Sequence, residues 1–207
     1  MKTLNDFFSK IYCINLDRRP DRWEESLKEF EKLNINVERV SAVDGGVSGL
    51  TLTNYNIIKE AIFNNYKNIL ILEDDIKFIN NFYEKFNAKI EYLPNNWDLL
   101  YLGGCNEILG RNIEIITGNK NIEFNINTRK LLDYEICKTK NNTIVTHAVG
   151  INSKFYKFLI EEINKKISEP IDLIQGSMHG NYNAYTFIPS LAAQRSSYSD
   201  IKNRLRH

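Results

Sequence analysis

Apolar residues in the first part of the chain fall into short unbroken runs, and between those runs they recur at helical intervals. KIYCINL (10–16) is a run of β type that stops at the charged turn DRRPDR. Pro20 suits the first turn of a helix, with Asp17 upstream, and WEESLKEFEKL behind it carries apolar residues at helical spacing. VERVSAV (37–43) predicts a second strand ending at Asp44-Gly45-Gly46, TNYNIIKEAIFNNY (53–66) a second helix, and ILILEDD (69–75) a third strand. Aliphatic, poorly alternating strands in a β-α-β-α-β series predict one α/β domain of Rossmann-like type. Its central sheet should be mostly parallel, with helices on both faces.

Ligands of such sheets collect at the carboxyl ends of the strands. Three chemically rich segments lie there: 15–22, 44–46 and 73–75. Farther along, WDLLYLGG (97–104) predicts a buried strand. Residues 105–142 read as short strands and loops, and TIVTHAVGIN (143–152) as another strand. SKFYKFLIEEINKKI then predicts a helix with Ser153 as N-cap. From 169 onward periodicity is low. The domain is expected to span 1–207, in two halves that meet at about 104–105. Oligomeric state is not legible.

Composition excludes some classes of function. A formal charge of +1 and 43% hydrophobic residues give no bulk attraction to nucleic acid or to an anionic membrane, so any anion must be bound locally. The N-terminus lacks an apolar stretch of signal or membrane-span length, so a soluble chain is expected, cytoplasmic or an excised domain of a larger protein. Cys13, Cys105 and Cys137 show no zinc spacing and read as buried thiols. The sequon at Asn141 reads as chance, and His207 as inert.

Glu73, Asp74 and Asp75 raise the main chemical question. Adjacent carboxylates repel unless a positive group stands between them. A solvated acidic turn is the plain reading, but the preceding strand should be central, where unpaired charge is costly. Oxygen ligands at a strand end suit Mg²⁺ or Mn²⁺, which in turn bridges diphosphate oxygens. Arg18, Arg19 and Arg22 in the first turn supply positive groups, or are ordinary helix-surface residues. No glycine-rich phosphate loop is present, which disfavours a P-loop kinase or a dehydrogenase. His147 reads as a hydrogen-bonded core residue. His179, in GSMHGNY, is a candidate metal ligand. Asp172, in EPIDL, reads as a helix N-cap or a functional carboxylate, and Asp98 is the other isolated carboxylate able to act as a base.

These segments carry a resemblance. INLDRRPDRW (14–23), SAVDG (41–45), YNIIKEA with ILILEDDI (55–61, 69–76), WDLLYLGG, THAVGIN (146–152), EPID (169–172), and IPSLAAQ with SDI (188–194, 199–201) occur in order along nearly the whole chain. Together they resemble glycosyltransferase family 25, which holds lipooligosaccharide galactosyltransferases and the glycosyltransferase domains of procollagen galactosyltransferases. The resemblance implies a GT-A fold, a UDP-sugar donor, a divalent metal (usually Mn²⁺) and inversion at the anomeric carbon. It implies that Asp75 ligates the metal, that Asp74 or Glu73 reaches the ribose or a metal-bound water, and that Asn15, Arg19 and Asp44 border the nucleotide. Asp172 would be the base that takes the proton from a glycan or hydroxylysine-type acceptor hydroxyl. The resemblance also implies that the half to about 104 binds the nucleotide and that the half from about 105 faces the acceptor.

The chain departs from the family pattern at Thr53-Asn54, where relatives commonly have Ser-His, in a shorter glycine-rich approach, GGVSGL, and at Val149, where an aromatic is usual. Galactose, glucose and N-acetylglucosamine therefore all stay open as the donor sugar. The expected activity is that of a metal-dependent hexosyltransferase. The alternative is a non-catalytic UDP-sugar or glycan-binding module of the same fold. A phospho-receiver domain fits poorly, because its acidic pair follows the first strand.

Overall fold

The computed structural model describes residues 1–103, 113–115, 135–139, 146–196, 198–199 and 204–205. Cys105, the sequon at 141–143, the start of the strand expected from 143 and His207 lie outside the described residues. The chain opens with a one-turn helix, α1 (Leu4–Phe7), closed by a capping box between Thr3 and Asp6. Then come β1 (Lys10–Asn15), α2 (Pro20–Leu33), β2 (Glu38–Ser41), α3 (Gly46–Phe63), β3 (Asn68–Glu73), β4 (Ile76–Phe78), α4 (Phe82–Lys89) and β5 (Leu99–Gly103). The rest comprises β6 (Ile113–Ile115), β7 (Glu135–Thr139), β8 (Ala148–Asn152), α5 (Ser153–Lys165), α6 (Ile171–Met178), β9 (Ala184–Ile188), β10 (Ala192–Gln194), β11 (Tyr198–Ser199) and β12 (Arg204–Leu205).

Eight strands form one sheet in the order β2-β1-β3-β8-β5-β9-β7-β6. Strand alternation sends Leu70, Leu72, Leu100 and Leu102 to one face, where they meet Phe30 of α2 and Phe82 and Phe86 of α4. Ile69, Ile71, Leu99 and Tyr101 point the other way, onto Ile57 and Ile58 of α3, Phe155 and Leu159 of α5, and Ile171 and Ile174 of α6. Helices therefore cover both faces, as the sequence predicts.

The sheet is mixed rather than mostly parallel. β1 runs parallel to β2 and to β3, and β5 to β9, but β8 lies antiparallel between β3 and β5, and β7 is antiparallel to both β6 and β9. Burial on both faces makes a strand continuously apolar whichever way it runs, so AVGIN in β8 gave no sign of its direction. β4 and β10 form a separate antiparallel pair beside the end of β3, and β11 pairs with β12. No helix among the described residues is long and apolar enough to cross a membrane.

α3 begins at Gly46 rather than near residue 53. Gly45 and Gly46 take positive φ values of 137° and 60°, which turn the chain from the end of β2 into the helix. Gly49 then lets the first turn of α3 lie against that loop, since a Cβ there would stand 2.2 Å from the Val43 carbonyl oxygen. Gly49→Ala should therefore cost about 1–3 kcal/mol in urea unfolding, although alanine is the better helix former. An unchanged midpoint would show that the loop yields freely. Thr53 and Asn54 serve this same corner. Thr53 Oγ1 accepts the Val43 N–H at 2.9 Å and donates to the Gly49 carbonyl at 2.8 Å, while Asn54 Nδ2 donates to the Leu50 carbonyl at 2.9 Å. Val149 is buried in mid-sheet between Ile71 and Tyr101.

Two predicted caps differ. The N-cap of α5 is Asn152, whose side chain accepts the Lys154 N–H, with Ser153 the first helical residue. The N-cap of α6 is Pro170, and Asp172 stands inside the first turn with its carboxylate accepting the Leu173 N–H at 2.9 Å. Cys13 and Cys137 are both buried, as expected.

Candidate functional site

β3 ends at Glu73 and the chain turns through Asp74 and Asp75 into β4. The turn is buried: Asp74 and Asp75 expose 5% and 4% of their surface. Charge at that depth requires a partner. The partner is Arg22, in the first turn of α2, whose Nη1 lies 3.0 Å from Asp74 Oδ1 and whose Nη2 lies 2.8 Å from Asp75 Oδ2. One planar guanidinium thus spans two carboxylates, the geometry its forked donors favour.

Other elements close the turn around this contact. Asn15, the last residue of β1, donates from Nδ2 to Asp74 Oδ2 at 2.6 Å and to the Arg19 carbonyl at 3.0 Å. Gln194, ending β10, places Nε2 3.4 Å from both Asp75 carboxylate oxygens and from Glu73 Oε2. Thr146 Oγ1 is 3.3 Å from Glu73 Oε1. The backbone of the turn is also engaged. Ser26 Oγ lies 2.7 Å from the Asp74 carbonyl oxygen, Arg195 Nη2 donates to that oxygen at 2.5 Å, and the Arg195 N–H donates to the Asp75 carbonyl at 2.6 Å. Burial is the strongest influence on the Asp74 carboxyl and raises its pKa above the usual carboxylate value, against the lowering pull of Arg22 and Asn15. Burial also pushes the neighbouring Cys13 thiol well up, reinforced by the charges of Asp74, Asp75 and Glu73. A thiol held protonated in this way is not a nucleophile.

A more exposed rim of arginines surrounds the turn. Arg18 pairs with Asp44 at 2.7 Å, and Arg19 with Asp21 at 2.8 Å. Arg39, above the ring of Trp23, donates from Nε to Asn15 Oδ1 at 2.9 Å and from Nη2 to Asp17 at 2.8 Å. Their partners Asp44, Asp21 and Asp17 have side chains 75%, 62% and 72% exposed. Exchange of such carboxylates for an incoming anion costs little, because exposed ion pairs are weak.

Of the residues singled out in the sequence, the structure brings together Asn15, Glu73, Asp74 and Asp75, with Arg19 and Asp44 on the rim. It places Asp98 and His179 elsewhere. Asp98 precedes β5, where the register Leu99 to Ile151 to Ile69 puts it at the opposite end of the sheet, about 16 Å of strand from Glu73. There its carboxylate accepts the Asn183 N–H at 2.8 Å and ties β5 to β9. His179 is 2% exposed, and its Nε2 lies 2.8 Å from the Tyr101 hydroxyl, which in turn stands 3.2 Å from Gln175 Oε1. Burial lowers the His179 pKa to about 4. Asp172 heads α6 on the sheet face opposite α2, and its charge reaches Tyr101. His147 is buried, with Nε2 3.3 Å from the Ala192 carbonyl oxygen.

Sequence reasoning passed over Ser26, Arg39, Gln194 and Arg195. The one available signal was on α2, where Arg22, Ser26 and Phe30 recur every four residues on the stripe that faces the sheet. Among the described residues, no three His, Cys, Asp or Glu side chains are grouped so as to hold a metal ion. Asp74 has both carboxylate oxygens engaged, and Asp75 faces a guanidinium, so the turn as arranged does not fit a divalent cation between the two.

No protein-family model matches the chain. A human protein named inactive glycosyltransferase 25 family member 3 is 32% identical over 129 residues, covering 46% of this chain and 22% of the relative. Human procollagen galactosyltransferase 2 is 27% identical over 129 residues, covering 46% and 21%. The chain therefore spans about a fifth of the length of these curated relatives. Among solved structures, a glycosyltransferase involved in the glycosylation of the major capsid of PBCV-1 superposes with a TM-score of 0.50 at 11% identity, covering 83% of this chain and 74% of that one. This last likeness speaks for the fold alone. The chain is a single α/β domain of the GT-A-like glycosyltransferase fold, distantly related to the family 25 galactosyltransferases.

Proposed function

We propose that this domain binds a UDP-sugar, or a glycan carrying a similar anionic group, at the carboxyl ends of β1, β2 and β3 without transferring the sugar. The observation that carries the reading is the bridge from Arg22 to Asp74 and Asp75. It ties up the carboxylates that a metal-dependent transferase of this fold would present to its donor. Binding itself is supported by the rim of Arg18, Arg19 and Arg39, whose exposed aspartate partners a diphosphate would replace. That a human relative is named inactive agrees with the reading.

Thermal unfolding with UDP, GDP, CMP or ADP, each in EDTA and in Mn²⁺, tests it. A ligand bound only by the native state stabilises it by about 2.7 kcal/mol at a hundredfold excess over Kd. UDP should raise the melting temperature in both buffers and the other nucleotides should not. No shift with any of them would withdraw the proposal.

The second reading is the inverting hexosyltransferase, with galactose, glucose or N-acetylglucosamine as donor sugar and a glycan or hydroxylysine-type hydroxyl as acceptor. It is favoured by the survival of Glu73, Asp74 and Asp75 at the end of a central strand, and by Asp172 at the head of α6. Asp75 would hold the metal and Asp172 would take the acceptor proton, provided Arg22 first released the turn. Metal-dependent release of UDP from a UDP-hexose, lost in Asp172→Asn, would establish this reading over the first.

A further inference from the structure

We infer that Arg22 is the resident counter-ion of the acidic turn, standing where a divalent cation would bind, so that this turn takes up no metal and nucleotide binding by the chain is metal-independent. The nucleotide half of this statement rests on the binding function proposed above, and the metal half does not.

Every group that would coordinate a cation at the turn is already in use. Asp74 gives one carboxylate oxygen to Arg22 and the other to Asn15, and Asp75 gives Oδ2 to Arg22. The backbone carbonyls, the next oxygen ligands at hand, accept from Arg195, and that of Asp74 also meets Ser26. A divalent ion needs about six oxygens at roughly 2.0–2.6 Å. It would have to displace a guanidinium and face its charge at close range. The side chain is not loosely held. Arg22 sits on the first turn of α2 on the helix's buried stripe, its side chain is 10% exposed, and Ser26 and Arg195 fasten the turn from the same side. Asp74, Asp75 and Arg22 thus act as one packed unit, in which the guanidinium offsets part of the acidic charge.

Electron paramagnetic resonance of Mn²⁺ reads this directly, because the signal of the free hydrated ion falls as the ion is bound. With the whole chain free of nucleotide, the native protein should leave the signal of millimolar Mn²⁺ unchanged. Arg22→Gln should take up one ion, and Arg22→Gln/Asp75→Asn should lose that uptake. UDP should shift the melting temperature of the native protein equally in EDTA and in Mn²⁺. Uptake by the native protein that disappears in Asp75→Asn would overturn the inference. So would a folded Arg22→Gln chain that binds no Mn²⁺. If Arg22→Gln does not fold, comparison of the native protein with Asp75→Asn still decides. Absence of any UDP shift would overturn the binding function alone, since the resonance measurements need no nucleotide.

Discussion

Arg22→Ala should lower the free energy of unfolding by about 3–5 kcal/mol, the scale of breaking a buried ion pair from one side. The guanidinium lies within bonding distance of both carboxylates, and the side chains of Asp74 and Asp75 are only 8% and 5% exposed. Without it the two aspartates are left in place, repelling each other and short of water. Asp75→Asn removes one of those charges in advance. Arg22→Ala should therefore cost less in the Asp75→Asn background, with a coupling of about 1–3 kcal/mol between the two sites. Urea unfolding of the four proteins measures both numbers, provided the denaturant slope stays constant across the set. A loss below about 1 kcal/mol for Arg22→Ala would place the contact among weak exposed pairs. The turn would then be open to solvent, and its pairing with Arg22 would have no energetic basis.

The same turn shows what a sequence discloses and what it withholds. The run ILILE marks β3 because a central strand must be apolar on both faces, and the carboxylates after it stand out by their cost. The identity of their partner depends on tertiary structure. Arg18, Arg19 and Arg22 are chemically equal in DRRPDR, and only the start of α2 at Pro20 separates them, leaving Arg18 and Arg19 before the helix and turning Arg22 inward. Gln194 and Arg195 arrive from the far end of the chain, after a β10 of three residues that pairs with β4 and carries no long-range periodicity. Strand direction was hidden for a related reason. β8 crosses back between β3 and β5, and composition reports burial without polarity. α6, with eight residues behind Pro170, is too short for a helical pattern to stand out, although it carries Asp172 and Gln175, a partner of Tyr101, and ends at His179. Short elements packed by distant neighbours are therefore where the sequence was least legible, and in this chain they complete the site.

Stability should fall as pH is lowered from about 6.5 to about 4, through His179. The imidazole lies 2% exposed against the Tyr101 hydroxyl, and burial lowers its pKa from 6.5 to about 4. In the unfolded chain it protonates near 6.5. Within that window the unfolded state binds a proton that the folded state refuses, so acid favours unfolding, whereas above the window the contribution to stability is complete. At about 1.4 kcal/mol for each pH unit, the loss at the acid end is about 3 kcal/mol. The lowered carboxyls of Asp6, Asp17 and Asp21 add their losses only near and below 3.8, and the raised Asp74 works in the opposite sense, gaining stability as it takes up its proton. His179→Gln separates these contributions, because its amide stands where Nε2 meets Tyr101 but does not titrate. The variant should keep its stability between pH 6.5 and 4 while the native protein loses it, as read from urea midpoints at each pH. Parallel curves for the two proteins would mean that the imidazole protonates in place, and that the cluster of Tyr101, Gln175 and His179 accepts a charge despite its burial.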